Sequence, residues 1–182
     1  MPRTRNAESS RVLAVLATPC AECGAPQADG VSCRACFEAL LAFENERPPV
    51  FGAVHHLTVA CYFMQHPAGY VPAALDGWRE LIAESLDDGE TPRQISTRMR
   101  RRFDGAKRVR DSSARTPAWW PRAWAMTVRH VLNPAEPSPT AAEYIERARR
   151  WALEIRAALD LADGSGPRPG GGIANRASRG AR

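Results

Sequence analysis

The sequence predicts a mainly α-helical protein: a small helical domain with a treble-clef-like knuckle built on cysteines at its N-terminal end. Three observations carry that expectation. Apolar residues recur at three- and four-residue spacing through most of the chain. Strand-like alternation is scarce outside one short stretch. Four of the five cysteines fall into two Cys-x-x-Cys pairs, Cys20–Cys23 and Cys33–Cys36, with nine residues between them.

The elements follow in order. In Cys20-Ala-Glu-Cys23-Gly24, the glycine permits a tight positive-φ turn that aims backbone amides at the sulfurs, the signature of a zinc knuckle. Gln27-Ala28-Asp29-Gly30 reads as a hairpin tip. The second cysteine pair opens a helix from about Arg34 to Glu46, with Phe37, Leu40, Leu41 and Glu44 along one face. A helix N-terminus favours thiolate at Cys33 and Cys36. Pro48-Pro49 reads as a break, and Val54–His66 as a second helix stopped by Pro67. Asp76 reads as the N-cap of a helix carrying Trp78, Leu81, Ile82, Ser85 and Leu86, ended by Gly89. Thr91-Pro92-Arg93-Gln94 is a capping box for the next helix, which presents Ile95, Met99 and Phe103. Residues 104–126 read as loop, with Trp119, Trp120 and Trp124 around Pro121. Thr127 caps a short helix to Leu132. Thr140 with Glu143 caps the last and longest helix, carrying Tyr144, Ala148, Trp151, Ile155 and Leu159.

Two Cys-x-x-Cys pairs so close together can place four thiolates on one tetrahedral metal, so Cys20, Cys23, Cys33 and Cys36 are the expected ligands of a zinc ion. Two disulfides or unrelated thiols are the alternatives. The apolar run Val12–Ala17 is shorter than the roughly 7–15 residues of a signal sequence core, and no run approaches the roughly 20 that span a bilayer. The expected location is therefore cytoplasmic and reducing, with no membrane partner, which favours zinc over disulfides. The expected organisation is a disordered tail over 1–10, a single zinc-containing helical domain over 11–162, and a disordered basic tail over 163–182. Residues 163–182 are rich in Gly and Pro and too poor in apolar residues to order themselves.

The net charge of +5 at pH 7 resides in the two tails: residues 1–12 carry +2 and 163–182 carry +3. The body is neutral but polarised, with −5 over 76–90 and +7 over 93–115.

His55, His56, Gln65 and His66 form the second distinctive stretch. On one straight helix His55 and His66 would stand about 16 Å apart, too far to share a metal. They read as histidines satisfied at helix ends, as a polar site, or as the source of one histidine ligand to the neighbouring zinc, which would have to displace Cys33 or Cys36. Cys-x-x-Cys-Gly, a cysteine opening a helix, and His55-x-Leu57-Thr58-Val59-x-x-Tyr62-x-x-Gln65-His66-Pro67 together resemble an uncharacterised bacterial family of small proteins of unknown function. The resemblance runs from about Cys20 to Gly69 and is weaker through Met126-Thr127-Val128 and the C-terminal Trp-containing helix. It implies that His55 and the Gln65-His66-Pro67 triplet are hallmark positions. It also implies that the position of Cys33 is not always cysteine, which makes His55 or His66 a candidate fourth ligand. It implies no activity.

Three functions compete on these residues. The first is a structural zinc site supporting an interaction or regulatory module with a protein partner, since a closed four-ligand site leaves no position for catalysis. The second is nucleic-acid binding through the basic 93–115 region. Helices at 77–88 and 92–102 mimic helix-turn-helix spacing, Gln94, Thr97, Arg98 and Arg101 face outward, and the tryptophans offer stacking surfaces. The third is a metal- or cysteine-dependent enzyme using the 55–66 segment with Cys61 as nucleophile. No nucleophile elbow, His-Glu-x-x-His motif or paired catalytic carboxylates support it, so no catalytic residue is expected.

Overall fold

The computed structural model describes residues 18–27, 30–87, 92–102, 109–134 and 136–164. It is mainly helical, and the described residues include no strand, only an isolated bridge between Tyr70 and Arg110.

Among the described residues six helices follow one another: α1 (Cys33–Asn45), α2 (Pro48–Gln65), α3 (Pro72–Asp87), α4 (Pro92–Arg102), α5 (Val128–Val131) and α6 (Ala141–Ala162). Helix α2 is the axis of the fold. It buries Val50, Val54, Leu57, Thr58, Ala60, Cys61, Tyr62, Met64 and Gln65, which cover about half of the helix circumference at about 100° per residue. So wide a buried face needs cover from several sides, and α6, α3 and α1 supply it. Helix α6 contributes Tyr144, Ala148, Trp151, Ala152, Ile155 and Leu159, one stripe at three- and four-residue spacing. Trp78, Leu81 and Ile82 of α3 close the core.

Two helices start earlier than the sequence suggests, for one reason. Pro48-Pro49 begins α2 instead of breaking the chain, and Pro72 begins α3 ahead of Asp76. A first-turn residue has no intrahelical acceptor for its N–H, so a proline there costs little and its fixed φ suits the helix. The caps of the later helices form as expected. Thr140 and Glu143 satisfy each other's backbone N–H groups, and Thr127 pairs in the same reciprocal way with His130. The Val12–Ala17 run, the Ala28-Asp29 tip, Gly89, the Thr91 cap, Phe103, the side chain of Met99, the expected tail over 1–10 and residues 165–182 of the other lie outside the described residues.

The polarised charges of the body meet across helix seams. Arg98 of α4 pairs with Glu84 of α3, Arg156 of α6 pairs with Asp87, and Arg79 of α3 holds Asp160 and Asp163. Two acidic residues of the 76–90 stretch, Glu84 and Asp87, are thus paired with arginines of neighbouring helices.

The segment after residue 109 works as a latch on the end of α2. Trp120 donates its indole N–H to the Met64 carbonyl at 2.9 Å, and Gln65 donates from Nε2 to the Met126 carbonyl at 2.7 Å. Both bonds are buried, where an unpaired carbonyl is costly. They tether the end of α2, which Pro67 stops, and so hold His66 in place.

Candidate metal centre

The N-terminal arm of the site is the knuckle. Gly24 N–H donates to the Cys20 carbonyl and Cys20 N–H to the Ala25 carbonyl, each at 2.8 Å. Gly24 sits at φ +71°, and a Cβ there would lie 3.0 Å from the Arg122 carbonyl oxygen. The position therefore needs glycine twice, for its left-handed backbone and for the close approach of the latch. Ser32 caps α1 by accepting from Ala35 N–H at 3.1 Å, which places Cys33 at the first helical position. His66 is the C-cap residue of α2, just past its last turn. Glu22 of the knuckle accepts from Ala68 N–H at 2.9 Å, tying the knuckle to the chain leaving His66.

These elements bring Cys20, Cys23, Cys33 and His66 together, with one ligand atom from each lying within 4.8 Å of all the others. Cys23 Sγ is 3.4 Å from Cys33 Sγ, and Cys20 Sγ is 3.6 Å from His66 Nε2. Tetrahedral coordination with metal–sulfur bonds of about 2.3 Å and metal–nitrogen bonds of about 2.0 Å requires ligand atoms about 3.5–3.8 Å apart. The His66 ring is turned the right way for it. Its Nδ1 lies 2.9 Å from the Tyr62 carbonyl, which can only accept, so Nδ1 carries a hydrogen and Nε2 is the atom offered to the sulfurs. Three thiols and an imidazole form a soft donor set suited to zinc-type ions. The cluster can hold a metal ion.

Its electrostatics without a metal are those of shared protons. The hydrogen bond from Cys33 holds the Cys23 thiol down to about 4 against the opposing pull of burial, and His66 and the Ala25 backbone assist. Cys33, as the donor, is pushed up. Burial alone would lower His66, but its contacts with Cys23 and the Tyr62 carbonyl raise it to about 9. The negative charge of one thiolate is thus balanced by an imidazolium, and a bound cation would displace those protons.

Cys36, expected as a ligand, stands outside this group, and His66 occupies the fourth place. Cys36 lies one helical turn after Cys33, fully buried, with Arg129 Nη1 3.9 Å from its sulfur. Arg129 also donates to the Val31 carbonyl at 2.8 Å. All five cysteines are free thiols. Cys61 is wholly buried on α2, and burial pushes its thiol well up, which leaves it a packing residue and not a nucleophile.

His55 is elsewhere, in a second buried polar cluster near the start of α2. Its Nδ1 lies 2.8 Å from Glu44 Oε2, while Thr58 and Tyr144 donate to Glu44 Oε1 at 2.7 and 2.6 Å. Glu44 is fully buried. His55 is stacked on Phe51 and lies beside His56, whose imidazolium is disfavoured by burial and then by His55. Gln65 is buried in the latch. Of the residues His55, His56, Gln65 and His66, only His66 reaches the thiols. Sequence reasoning missed Glu44 as a functional residue. The available signal was a carboxylate in the inward register of α1, in line with Phe37 and Leu40.

Residues 18–160 match the family of unknown function DUF5946. The chain belongs to that family. No curated protein and no solved structure matches it. The DUF5946 match spans both clusters, from the knuckle through Tyr144. Among the described residues, no helix is long and apolar enough to cross a membrane.

Proposed function

We propose that Cys20, Cys23, Cys33 and His66 hold one zinc ion in a closed structural site, and that the helical body braced by it is an interaction or regulatory module in the cytoplasm. The observation that carries this reading is the convergence of four soft ligand atoms, with the imidazole tautomer already set by the Tyr62 carbonyl. When bound, zinc would supply folding free energy by joining the knuckle, the start of α1 and the end of α2. The four residues fill a tetrahedral shell, so no coordination position is left for a substrate or an activated water. The chain's own residues then act only as ligands and braces.

The test is the metal content of protein purified without chelator, by elemental analysis, on wild type, Cys33→Ser, His66→Ala, Cys36→Ser and His55→Ala. One zinc per chain, lost in Cys33→Ser and His66→Ala and kept in the other two, is the expected result. Zinc lost in Cys36→Ser but kept in His66→Ala would replace this ligand set with four cysteines. No zinc in wild type would end the reading.

A second reading, single-stranded nucleic-acid binding through the 93–115 region and its neighbouring tryptophans, has one observation in its favour. Trp119 is 44% exposed, whereas Trp120 is buried in the latch. Binding of a fluorescent oligonucleotide that does not weaken with added salt would remove this reading.

A further inference from the structure

His66 is gripped by one residue from two sides. Tyr62 stands one helical turn before it, and the two rings stack at 4.1 Å between centroids and 23° between planes. The backbone carbonyl of the same Tyr62 accepts from His66 Nδ1 at 2.9 Å. On its other side the Tyr62 ring lies flat on Phe37, at 3.8 Å and 5°. Phe37 belongs to α1, four residues after Cys33. Phe63 meets both Phe37 and Tyr62 edge-on, at 6.0 and 5.9 Å. Phe37 and Tyr62 are both buried. The result is a column of three flat rings, Phe37–Tyr62–His66, that starts on the helix bearing one ligand and ends in another.

A column of this kind constrains what a hydrogen bond alone leaves open. The Nδ1–H bond fixes the tautomer and one direction, but the imidazole can still rock about the line joining Nδ1 to the carbonyl. Stacking on a ring that is itself backed by Phe37 removes that rocking motion. Nε2 is thereby held toward Cys20 before any metal arrives, and the cost of ordering the ligand is met at folding.

We infer that Tyr62 is a positioning residue of the metal centre: its ring, backed by Phe37, sets the plane of His66 and so sets the affinity and coordination geometry of the site. The inference rests on the zinc reading above. It assigns Tyr62 no contact with the metal; it acts through His66. Outer partners of metal-bound histidines change affinity by about 10–100-fold when removed.

The experiment compares wild type, Tyr62→Phe and Tyr62→Leu. Zinc affinity is measured by chelator competition, and the cobalt(II) form is followed by its absorption spectrum. Tyr62→Phe keeps the ring and the carbonyl, and is expected to bind like wild type with the same cobalt bands. Tyr62→Leu keeps the helix and apolar bulk, and is expected to lose about 10–100-fold in affinity with shifted or broadened bands. A purely structural tyrosine would change stability without moving the cobalt spectrum. Unchanged affinity and spectrum in Tyr62→Leu would overturn the inference, as would equal losses in both variants. Should Tyr62→Leu fail to fold, Phe37→Leu, which removes only the backing ring, is expected to move the same bands less far, and unmoved bands there count against the column. If wild-type protein bound no metal, the zinc reading would fail by itself. The column is then read by NMR: His66 ring protons displaced upfield in wild type and not in Tyr62→Leu support it, and undisplaced protons in wild type sink it.

Discussion

At its C-terminal end α2 delivers His66 to three thiols; near its start it delivers His55 and Thr58 to a carboxylate. Both clusters are largely buried and both join α1 to α2, yet they are completed differently. Each oxygen of Glu44 has protein donors, and Tyr144 brings α6 into the same cluster. That network is finished by folding. The thiol cluster has four ligand atoms facing one another and only protons to share among them. The two histidines make the difference concrete. The Nδ1 of His55 is spent on the Glu44 carboxyl group, so the ring belongs to a hydrogen-bonded core network. The Nδ1 of His66 is spent on a neutral carbonyl, and Nε2 is left aimed at the sulfurs. A carboxylate and a carbonyl can each stand behind a metal-bound histidine, so what marks His66 is the thiols that face its Nε2.

The comparison can be broken most sharply at the proposed zinc. Chelation, or Cys23→Ser, is expected to remove a binding free energy on the order of 10 kcal/mol. Hydrogen exchange is expected to show the amides of residues 18–27 and 30–36 losing protection while those around Glu44 in α1 and Thr58 in α2 keep most of theirs. Equal loss at both ends would show that the clusters form one cooperative unit.

The reverse experiment is Glu44→Ala, which removes the acceptor shared by Tyr144, Thr58 and His55 and leaves Thr58 only the Val54 and His55 carbonyls. A buried bond left unmade costs about 1–3 kcal/mol, so the loss of this shared acceptor is expected to cost about 3–5 kcal/mol. Urea unfolding of the zinc form should show a loss of that size, with zinc stoichiometry unchanged. Glu44→Gln keeps an acceptor and should cost less, about 1–3 kcal/mol.

Gly24→Ala tests the brace between knuckle and latch. A left-handed backbone costs a non-glycine residue about 1–2 kcal/mol, and the new methyl would press on the Arg122 carbonyl. A weakened zinc affinity with the Glu44 end intact is the expected outcome, and wild-type affinity would mean that the latch does not support the site. Smallest is Glu22→Gln, which weakens one exposed bond to Ala68. A loss of about 1 kcal/mol or less is expected, visible as faster zinc transfer to a chelator. An unchanged transfer rate would show that this tie does no work.

The fold and the site were legible to different depths in the sequence. Helical class, the caps at Thr127 and Thr140, and the turn at Gly24 are local facts, written in spacing and side-chain chemistry. So are Cys20, Cys23 and Cys33, which a knuckle and a helix N-terminus place almost unaided. The fourth member of the cluster is not local. Cys-x-x-Cys spacing says only that Cys36 lies one turn beyond Cys33. Whether its sulfur or an imidazole from residue 66 closes the group depends on where α2 ends. Pro67 marks that end locally, but its place in the core is held by Trp120 and Gln65 bonding across more than fifty residues of chain. Glu44 was hidden for a related reason: its partners are eleven, fourteen and one hundred residues away.

The straight run of α2 between Thr58 and His66 acts as a ruler with two marks. One mark is held by the carboxylate of Glu44 and the other by the thiols. Adding or deleting a single residue between them would turn one mark by about 100° and move it about 1.5 Å relative to the other. No side-chain exchange could restore both. This stretch, buried at most of its positions, should accept no change of length, whereas the connection between α5 and α6, which carries neither mark, should accept insertions.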